Sequence, residues 1–104
     1  MKPIKQIQLN HNGWMMNILS SRVATITTPK KEIKTVYFGF DSQEKAKNFA
    51  IWMLKYNKCS KAITRESERL NTPWEVKSWD VSPKLINYCV NQDKLADANA
   101  TISS

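Results

Sequence analysis

The side chains suited to acid–base or nucleophilic chemistry are few and far apart in this chain. His11 is the single histidine, and it lies in a predicted turn with no cysteine or carboxylate close to it in sequence. Cys59 follows Lys58 and precedes Lys61, whose charges would lower a thiol pKa, but no base accompanies it in a recognisable pattern. Catalysis and metal binding both need several such groups held together. The sequence therefore predicts a non-enzymatic protein with no cofactor and no metal.

Lysine is the residue type whose placement does suggest a chemistry. The chain has sixteen Lys and Arg against nine Asp and Glu, a net charge of +7. Residues 30–65 hold nine of the basic residues and three acidic ones, a local net charge of +6. A concentrated basic surface usually neutralises phosphates, although a lysine-rich surface that only maintains solubility has the same composition. The pattern favours a nucleic acid as the partner, with DNA ahead of RNA.

The elements that would position these lysines are clearest between residues 34 and 53. Strand alternation over residues 35–40 sends one set of side chains to a core face: Val36, Phe38 and Phe40. Asp41 is the predicted N-cap of a helix, with Glu44 at the capping-box position three residues later. An apolar stripe at helical spacing follows, made of Ala46, Phe49, Ala50 and Met53. The strand and the helix are therefore predicted to share a core.

Patterning of the whole chain predicts an α+β fold. We expect a small antiparallel sheet of three to five strands with two helices packed on it, in the order ββ(β)αββα. The segment from Ile4 to Leu9 is a candidate first strand, and the second helix is predicted to run from Pro83 to about Lys94. Residues 1–95 are predicted to form a single domain, followed by a flexible C-terminal tail over residues 96–104.

Residues 13–52 contain a motif with a familial resemblance. It consists of Gly13-Trp14, two alternating strands, and then Lys34-Thr-Val-Tyr-Phe-Gly-Phe-Asp-Ser-Gln-Glu-Lys-Ala46. This segment resembles the three-stranded sheet plus helix of AP2-type and integrase arm-type DNA-binding domains, which implies a sheet lying against the DNA major groove and a helix behind it. In those families the strands carry several arginines that hold the DNA, whereas Arg22 is the one arginine in this region. The strand–helix pair also resembles part of an RNA-recognition fold, in which sheet aromatics stack on bases.

Nucleic-acid contacts are predicted on the sheet face away from the helix and at its basic edge. The predicted phosphate contacts are Lys30, Lys31, Lys34 and Arg22. The predicted contacts on the face itself are Asn17, Thr25, Thr27, Thr35 and Tyr37. Three apolar residues share that face by the same parity, namely Met15, Leu19 and Val23. A mixed face of this kind is also typical of a covered face, and residues 57–93 are the segment that would cover it.

Aromatic residues support an alternative function. Four tryptophans and three tyrosines are many for 104 residues, and exposed aromatics favour a non-catalytic protein–protein interaction module or accessory subunit, with a homodimer as one form. Trp52 and Tyr56 are expected on a flank of the helix, where a boundary core position is the competing interpretation. Trp74 and Trp79 are expected on opposite faces of one strand.

Cysteine number and hydropathy suggest where the protein resides. Cys59 and Cys89 are too few and too distant for a disulfide framework, which favours a reducing compartment. No apolar run approaches the length of a membrane span, and the first residues have no apolar signal core. The expectation is a cytoplasmic protein with no membrane partner.

Overall fold

The computed structural model describes residues 2–9 and 12–103, with side chains as far as residue 100. Its elements in chain order are β1 (Lys5–Gln8), β2 (Met15–Ser20), β3 (Val23–Thr27), β4 (Ile33–Phe40), α1 (Gln43–Lys55), β5 (Lys61–Glu66), β6 (Trp74–Trp79) and α2 (Pro83–Ser103). The strands form one antiparallel sheet in the order β1-β2-β3-β4-β6-β5. The predicted class is confirmed, whereas the predicted three to five strands become six in the described chain because β1 pairs with β2.

One face of the sheet carries the main core and both helices. Helix α1 packs on β4, β5 and β6, and α2 packs on β2 and β3. A single cluster joins Val36 and Phe38 of β4 to both helices. From α1 this cluster includes Ala46, Ala50 and Met53, and from α2 it includes Leu85, Ile86 and Val90. The predicted packing of the first helix on the Val36 face is thus confirmed.

The start of α1 differs by one residue from the prediction. The N-cap is Ser42, whose backbone is extended (φ −142°) and whose Oγ accepts a hydrogen bond from the backbone N–H of Lys45 at 3.2 Å. Asp41 instead forms an exposed ion pair with Lys45 Nζ at 3.2 Å. Both residue types cap helices well, so composition alone did not decide between two adjacent candidates.

The second face of the sheet carries a smaller core under a loop. Met16, Ala24, Ile26 and Tyr37 are buried there, and Leu70 packs against them. Leu70 belongs to the β5–β6 loop, residues 67–73, which therefore covers the central strands on this side. Leu9 and Trp14 add to this cover, whereas Leu19 and Val23, two of the apolar residues predicted on the same face as Tyr37, lie in the main core on the helix side.

Helix α2 runs further than predicted and is fastened to the sheet by a buried carboxylate. Asp93 is 4% exposed, and it accepts hydrogen bonds from Ser20 Oγ at 2.6 Å and from Arg22 Nη2 at 2.8 Å. Beyond Asp93 the helix continues to Ser103, so residues 96–103 are helical where the sequence predicted a loose tail. Alanines at 96, 98 and 100 are good helix formers and account for the extension.

Candidate nucleic-acid interface

Five lysines gather at one end of the sheet. Lys30 and Lys31 form the turn of the β3–β4 hairpin, and Lys34 follows at the start of β4; all three are exposed. The β4–β6 register pairs Val36 with Ser78, so the start of β4 lies beside the end of β6. Lys77 is in β6, and Lys61 of β5 pairs with Trp79. We call this set, Lys30, Lys31, Lys34, Lys61 and Lys77, the lysine surface.

The hairpin holds its lysines in a defined turn. Lys31 has a left-handed backbone conformation with φ 64°, and its N–H donates to the carbonyl of Thr28 at 2.8 Å. The N–H of Glu32 donates to Thr28 Oγ1 at 3.2 Å. These bonds close the turn, so the side chains of Lys30 and Lys31 project from an ordered tip.

Trp79 is the aromatic residue of the lysine surface. Its position in the register places it on the face away from the helices, with Tyr37 and Lys77. The Nζ atoms of Lys61 and Lys77 each lie 5.1 Å from the centroid of the Trp79 ring. The ring is half-buried, and nearby Ile63 is 41% exposed. A half-buried aromatic ring flanked by ammonium groups suits stacking on a base with phosphate contacts beside it.

The charge of this end is only partly balanced. Within the described residues, none of the five lysines forms a salt bridge. The acidic residues at the same end are Glu32 in the hairpin and Asp80 directly after β6. Five lysines against these two carboxylates leave a local net charge of +3, so the local potential favours anions.

Three of the predicted contact residues lie on the opposite face from the one expected. The β3–β4 register pairs Thr25 with Val36, so Thr25 and its neighbours Asn17 and Thr27 face the helices. Sequence parity had grouped them correctly with one another. It had assigned that group wrongly to the face of Thr35 and Tyr37, because parity within a strand does not reveal the register between strands.

The prediction that the five face residues are exposed is also wrong for four of them. Asn17, Thr25, Thr35 and Tyr37 are all buried, and Tyr37 is 1% exposed. The β5–β6 loop covers Tyr37, and Thr35 Oγ1 lies 3.3 Å from the Tyr37 hydroxyl in a buried hydrogen bond. Tyr37 and Thr35 are therefore part of the second core.

Arg22 does not belong to the lysine surface. It lies in the β2–β3 turn, at the opposite end of β3 from the hairpin. Its Nε and Nη2 both donate to Asp93 Oδ1, at 3.1 and 2.8 Å. The predicted phosphate contact at this residue is therefore separated from the other three, and its charge is paired.

Asn17, Thr25 and Thr27 instead form a polar network at the base of a groove. Asn17 Nδ2 donates to Thr25 Oγ1 at 3.3 Å and to Thr27 Oγ1 at 3.0 Å. Gln6 Nε2 donates to Asn17 Oδ1 at 2.9 Å. The groove has a volume of about 490 Å³ and is bounded on one side by the start of α2, with Lys31 at its rim.

The other predicted interaction residues separate into core and surface. Trp74 packs against the main core while Trp79 lies on the opposite face, which confirms the predicted alternation. Trp52 of α1 is 39% exposed, and Tyr56, the C-cap of α1, is 53% exposed. Their rings continue an aromatic row from Phe49, with centroid distances of 5.8 and 6.0 Å.

The cysteines show no sign of activation. Burial raises the pKa of the Cys59 thiol, and a backbone hydrogen bond at Lys61 opposes this effect. Burial, and then the negative charge of Asp93, raise the pKa of Cys89 to about 11, while Arg22 opposes this effect. In the described part of the chain no group of residues has the make-up of a metal site. The predicted turn histidine, His11, lies outside the described residues.

Sequence reasoning missed two members of the lysine surface. Lys77 and Trp79 are two residues apart in a strand, a spacing that places them on one face, so this pair was detectable from sequence. Lys61 reaches the same ring only through the β5–β6 register, which no local pattern specifies.

Of the helices in the described residues, none combines the length and apolar character needed to cross a membrane.

Comparison with protein-family models, with curated proteins and with solved structures finds no match to this chain. The resemblance of residues 13–52 to AP2-type and integrase arm-type domains stays a prediction. In the structure α1 contacts β4, β5 and β6, and the described strands include three beyond those of the motif.

Proposed function

We propose that this protein is a small basic domain that binds single-stranded nucleic acid, with DNA the first candidate, through its lysine surface. The observation that supports the proposal is that the Nζ atoms of Lys61 and Lys77 each lie 5.1 Å from the centroid of the Trp79 ring, at the end of the sheet that also carries the lysines of the β3–β4 hairpin. Such a surface combines the two requirements of single-strand binding, cations that follow the backbone and a ring on which a base stacks.

The arrangement assigns a role to each group. Lys61 and Lys77 would contact the phosphates on either side of a base that stacks on Trp79. Lys30, Lys31 and Lys34 would extend the phosphate path along the hairpin. The bases of a duplex are already stacked on each other, so a single strand is the form able to use the ring. Stacking is tolerant of base identity, so we expect little sequence preference from Trp79.

The test is fluorescence anisotropy of labelled twelve-nucleotide single-stranded DNA, its RNA equivalent and duplex DNA. Substitution W79L should weaken single-strand binding by about 1–3 kcal/mol, the usual contribution of one base stacked on an aromatic ring. The matched control is W52L, which removes a partly exposed tryptophan of α1 outside the lysine surface. Equal affinities for wild type and W79L, or tighter binding to the duplex, would contradict the proposal.

A second candidate function, a protein-interaction module, is favoured by the exposed apolar side chains of α1. Ile51 is 62% exposed and Leu54 is 44% exposed, in addition to Trp52 and Tyr56. Exposed apolar residues on one helix are typical of protein contacts. Light scattering during size exclusion would show a dimer that W52E converts to monomer if this helix mediates self-association. A monomer at all concentrations, with no protein captured by the wild type in preference to W52E, would exclude it.

A further inference from the structure

The groove that contains the Asn17 network has the properties of a ligand site. It lies on the helix side of β1–β3, and the start of α2 forms one wall through Pro83, Ile86 and Asn87. Its volume of about 490 Å³ is within the range of small-ligand sites, roughly 300–1,000 Å³. It is separate from Trp79, which lies on the other face of the sheet.

The base of the groove presents hydrogen-bond donors. Asn17 uses both amide protons on Thr25 and Thr27, and its oxygen accepts from Gln6. Each threonine oxygen therefore already accepts a bond, and its own hydroxyl proton remains available for donation. Asn17 and Thr25 are 7% and 3% exposed, so these groups are fixed and largely desolvated. A ligand that enters the groove must bring acceptors to this base.

The walls and the rim add two further requirements. Met15, Leu19 and Ile33 line the sides with apolar surface, and among the described residues no acidic side chain borders the groove. Lys31 at the rim is the one charged residue in the described lining. A ligand of matching chemistry has a flat or apolar body with acceptors at its inner end and an anionic group at its outer end.

We propose that the groove binds one nucleotide, with its base inserted between the apolar walls and its phosphate on Lys31. A nucleobase is planar, carries ring-nitrogen or carbonyl acceptors for the threonine hydroxyls, and has amino or ring N–H donors for the amide oxygens of Gln6 and Asn87. The inference rests on the proposed function and deepens it. Lys31 belongs both to the lysine surface and to the groove, so a strand bound at Trp79 can pass over the hairpin and place a further base in the groove.

The test is a titration of ¹⁵N-labelled protein with the four deoxynucleoside 5′-monophosphates, followed by amide chemical shifts. Saturable shifts at Asn17, Thr25 and Thr27 are expected. The same nucleosides without phosphate should bind about tenfold more weakly, since a charge-assisted hydrogen bond is lost. Benzoate, a flat anion that lacks the acceptors of a base ring, should leave these amides unshifted. Shifts from benzoate as large as those from the nucleotides would overturn the assignment to a base.

Two lysine variants test the contact at the rim. K31Q removes the charge at the rim and should weaken mononucleotide binding about tenfold, whereas K47Q removes an exposed charge of α1 that belongs neither to the groove nor to the lysine surface and should leave it unchanged. T27V removes one donor from the base of the groove and should also weaken binding, with T64V on β5 as its control. Equal affinities in K31Q, K47Q and wild type would overturn the proposed phosphate contact.

The outcomes separate this inference from the proposed function. If oligonucleotides bind and W79L weakens their binding, but mononucleotides shift no groove amides, then the groove is not a nucleotide site. The proposed function of the lysine surface is then retained. If mononucleotides shift the groove amides while oligonucleotides do not bind, the protein is a nucleotide-binding domain and the lysine surface has another role. If oligonucleotides do not bind and mononucleotides shift no groove amides, both the proposed function and this inference are contradicted.

Discussion

Glu75 shows how a single buried charge organises this fold. Its side chain is 0% exposed, and its Oε2 accepts from Arg65 Nε at 2.8 Å. Its Oε1 accepts from the backbone N–H of Arg69 in the β5–β6 loop at 3.3 Å. Arg65 also lies over the ring of Tyr37, with 5.7 Å from guanidinium carbon to centroid. One carboxylate thus connects two strands, a loop and the second core.

Removal of Arg65 should therefore be costly. R65M leaves Glu75 buried without its ion-pair partner, and we expect the free energy of unfolding to fall by about 3–5 kcal/mol. K45M breaks the exposed pair with Asp41 and should cost at most about 1 kcal/mol. Urea denaturation followed by tryptophan fluorescence measures both. Equal losses of unfolding free energy in the two variants would show that the burial of Glu75 does not make its ion pair more important for stability than an exposed one.

Cys89 makes a second prediction at this scale. Its pKa of about 11, against an ordinary 9.0, should reduce the thiolate population at pH 8 about 100-fold. Alkylation by iodoacetamide should therefore be slow in the folded protein and should keep accelerating from pH 9 towards 11. The raised pKa also means that the protonated thiol stabilises the fold below pH 9, a contribution lost as the pH rises towards 11. Mass spectrometry of the Cys89 peptide, with urea-unfolded protein as the reference, gives the rates; equal folded and unfolded rates would refute the prediction.

Among the elements, the β5–β6 loop determines which parts of the second sheet face are accessible. The loop lies close over β4 because Gly39 has no side chain: a Cβ there would lie 2.5 Å from Thr72 Oγ1 and 2.8 Å from Thr72 Cγ2. Thr72 Oγ1 itself donates to the carbonyl of Trp74 at 2.9 Å. Gly39 and Thr72 thus fit together, and the loop covers Tyr37 while Trp79 remains accessible.

Substitution G39A should displace this loop. The added methyl group overpacks the contact with Thr72, and we expect a loss of about 1–3 kcal/mol in the free energy of unfolding. The second substitution T72A, in the G39A background, removes the two closest atoms and should recover part of that loss. Hydrogen exchange of the amides at residues 67–72 should speed up in G39A and slow again in the double variant. Unchanged exchange in G39A would show that the loop does not depend on this contact.

Local patterns predicted the elements better than the relations between them. The strand at 35–40, the apolar stripe of α1 and the start of α2 at Pro83 follow from alternation, helical spacing and proline stereochemistry, and the structure confirms them. The face of Asn17 and Thr25 depended on pairing with Val36, and the pairing of Lys61 with Trp79 depended on a hairpin register. Register is set by the packing of the whole sheet, so one strand read alone does not contain it.

Over the whole molecule, the two ends of the sheet have different chemistry. At one end the β2–β3 turn is neutralised by Asp93 of α2, so its arginine is paired. At the other end the hairpin, the end of β6 and the start of β5 bring five lysines together, none in a salt bridge within the described residues. Both helices lie on one face, which leaves Trp79 accessible on the other. This difference between the two ends is the reason for proposing that nucleic acid binds at the lysine surface.

The salt dependence of binding to single-stranded DNA tests that assignment most directly. The triple variant K30Q/K31Q/K34Q should lower affinity and reduce the slope of log K against log salt by about 2, since each phosphate contact on a single strand contributes roughly 0.7. The matched triple K5Q/K47Q/K94Q removes the same charge from exposed sites outside the lysine surface and the groove and should leave the slope nearly unchanged. Equal slopes for the two triple variants, or no binding by the wild-type protein at 50 mM salt, would contradict the assignment and make the +7 charge a general surface property.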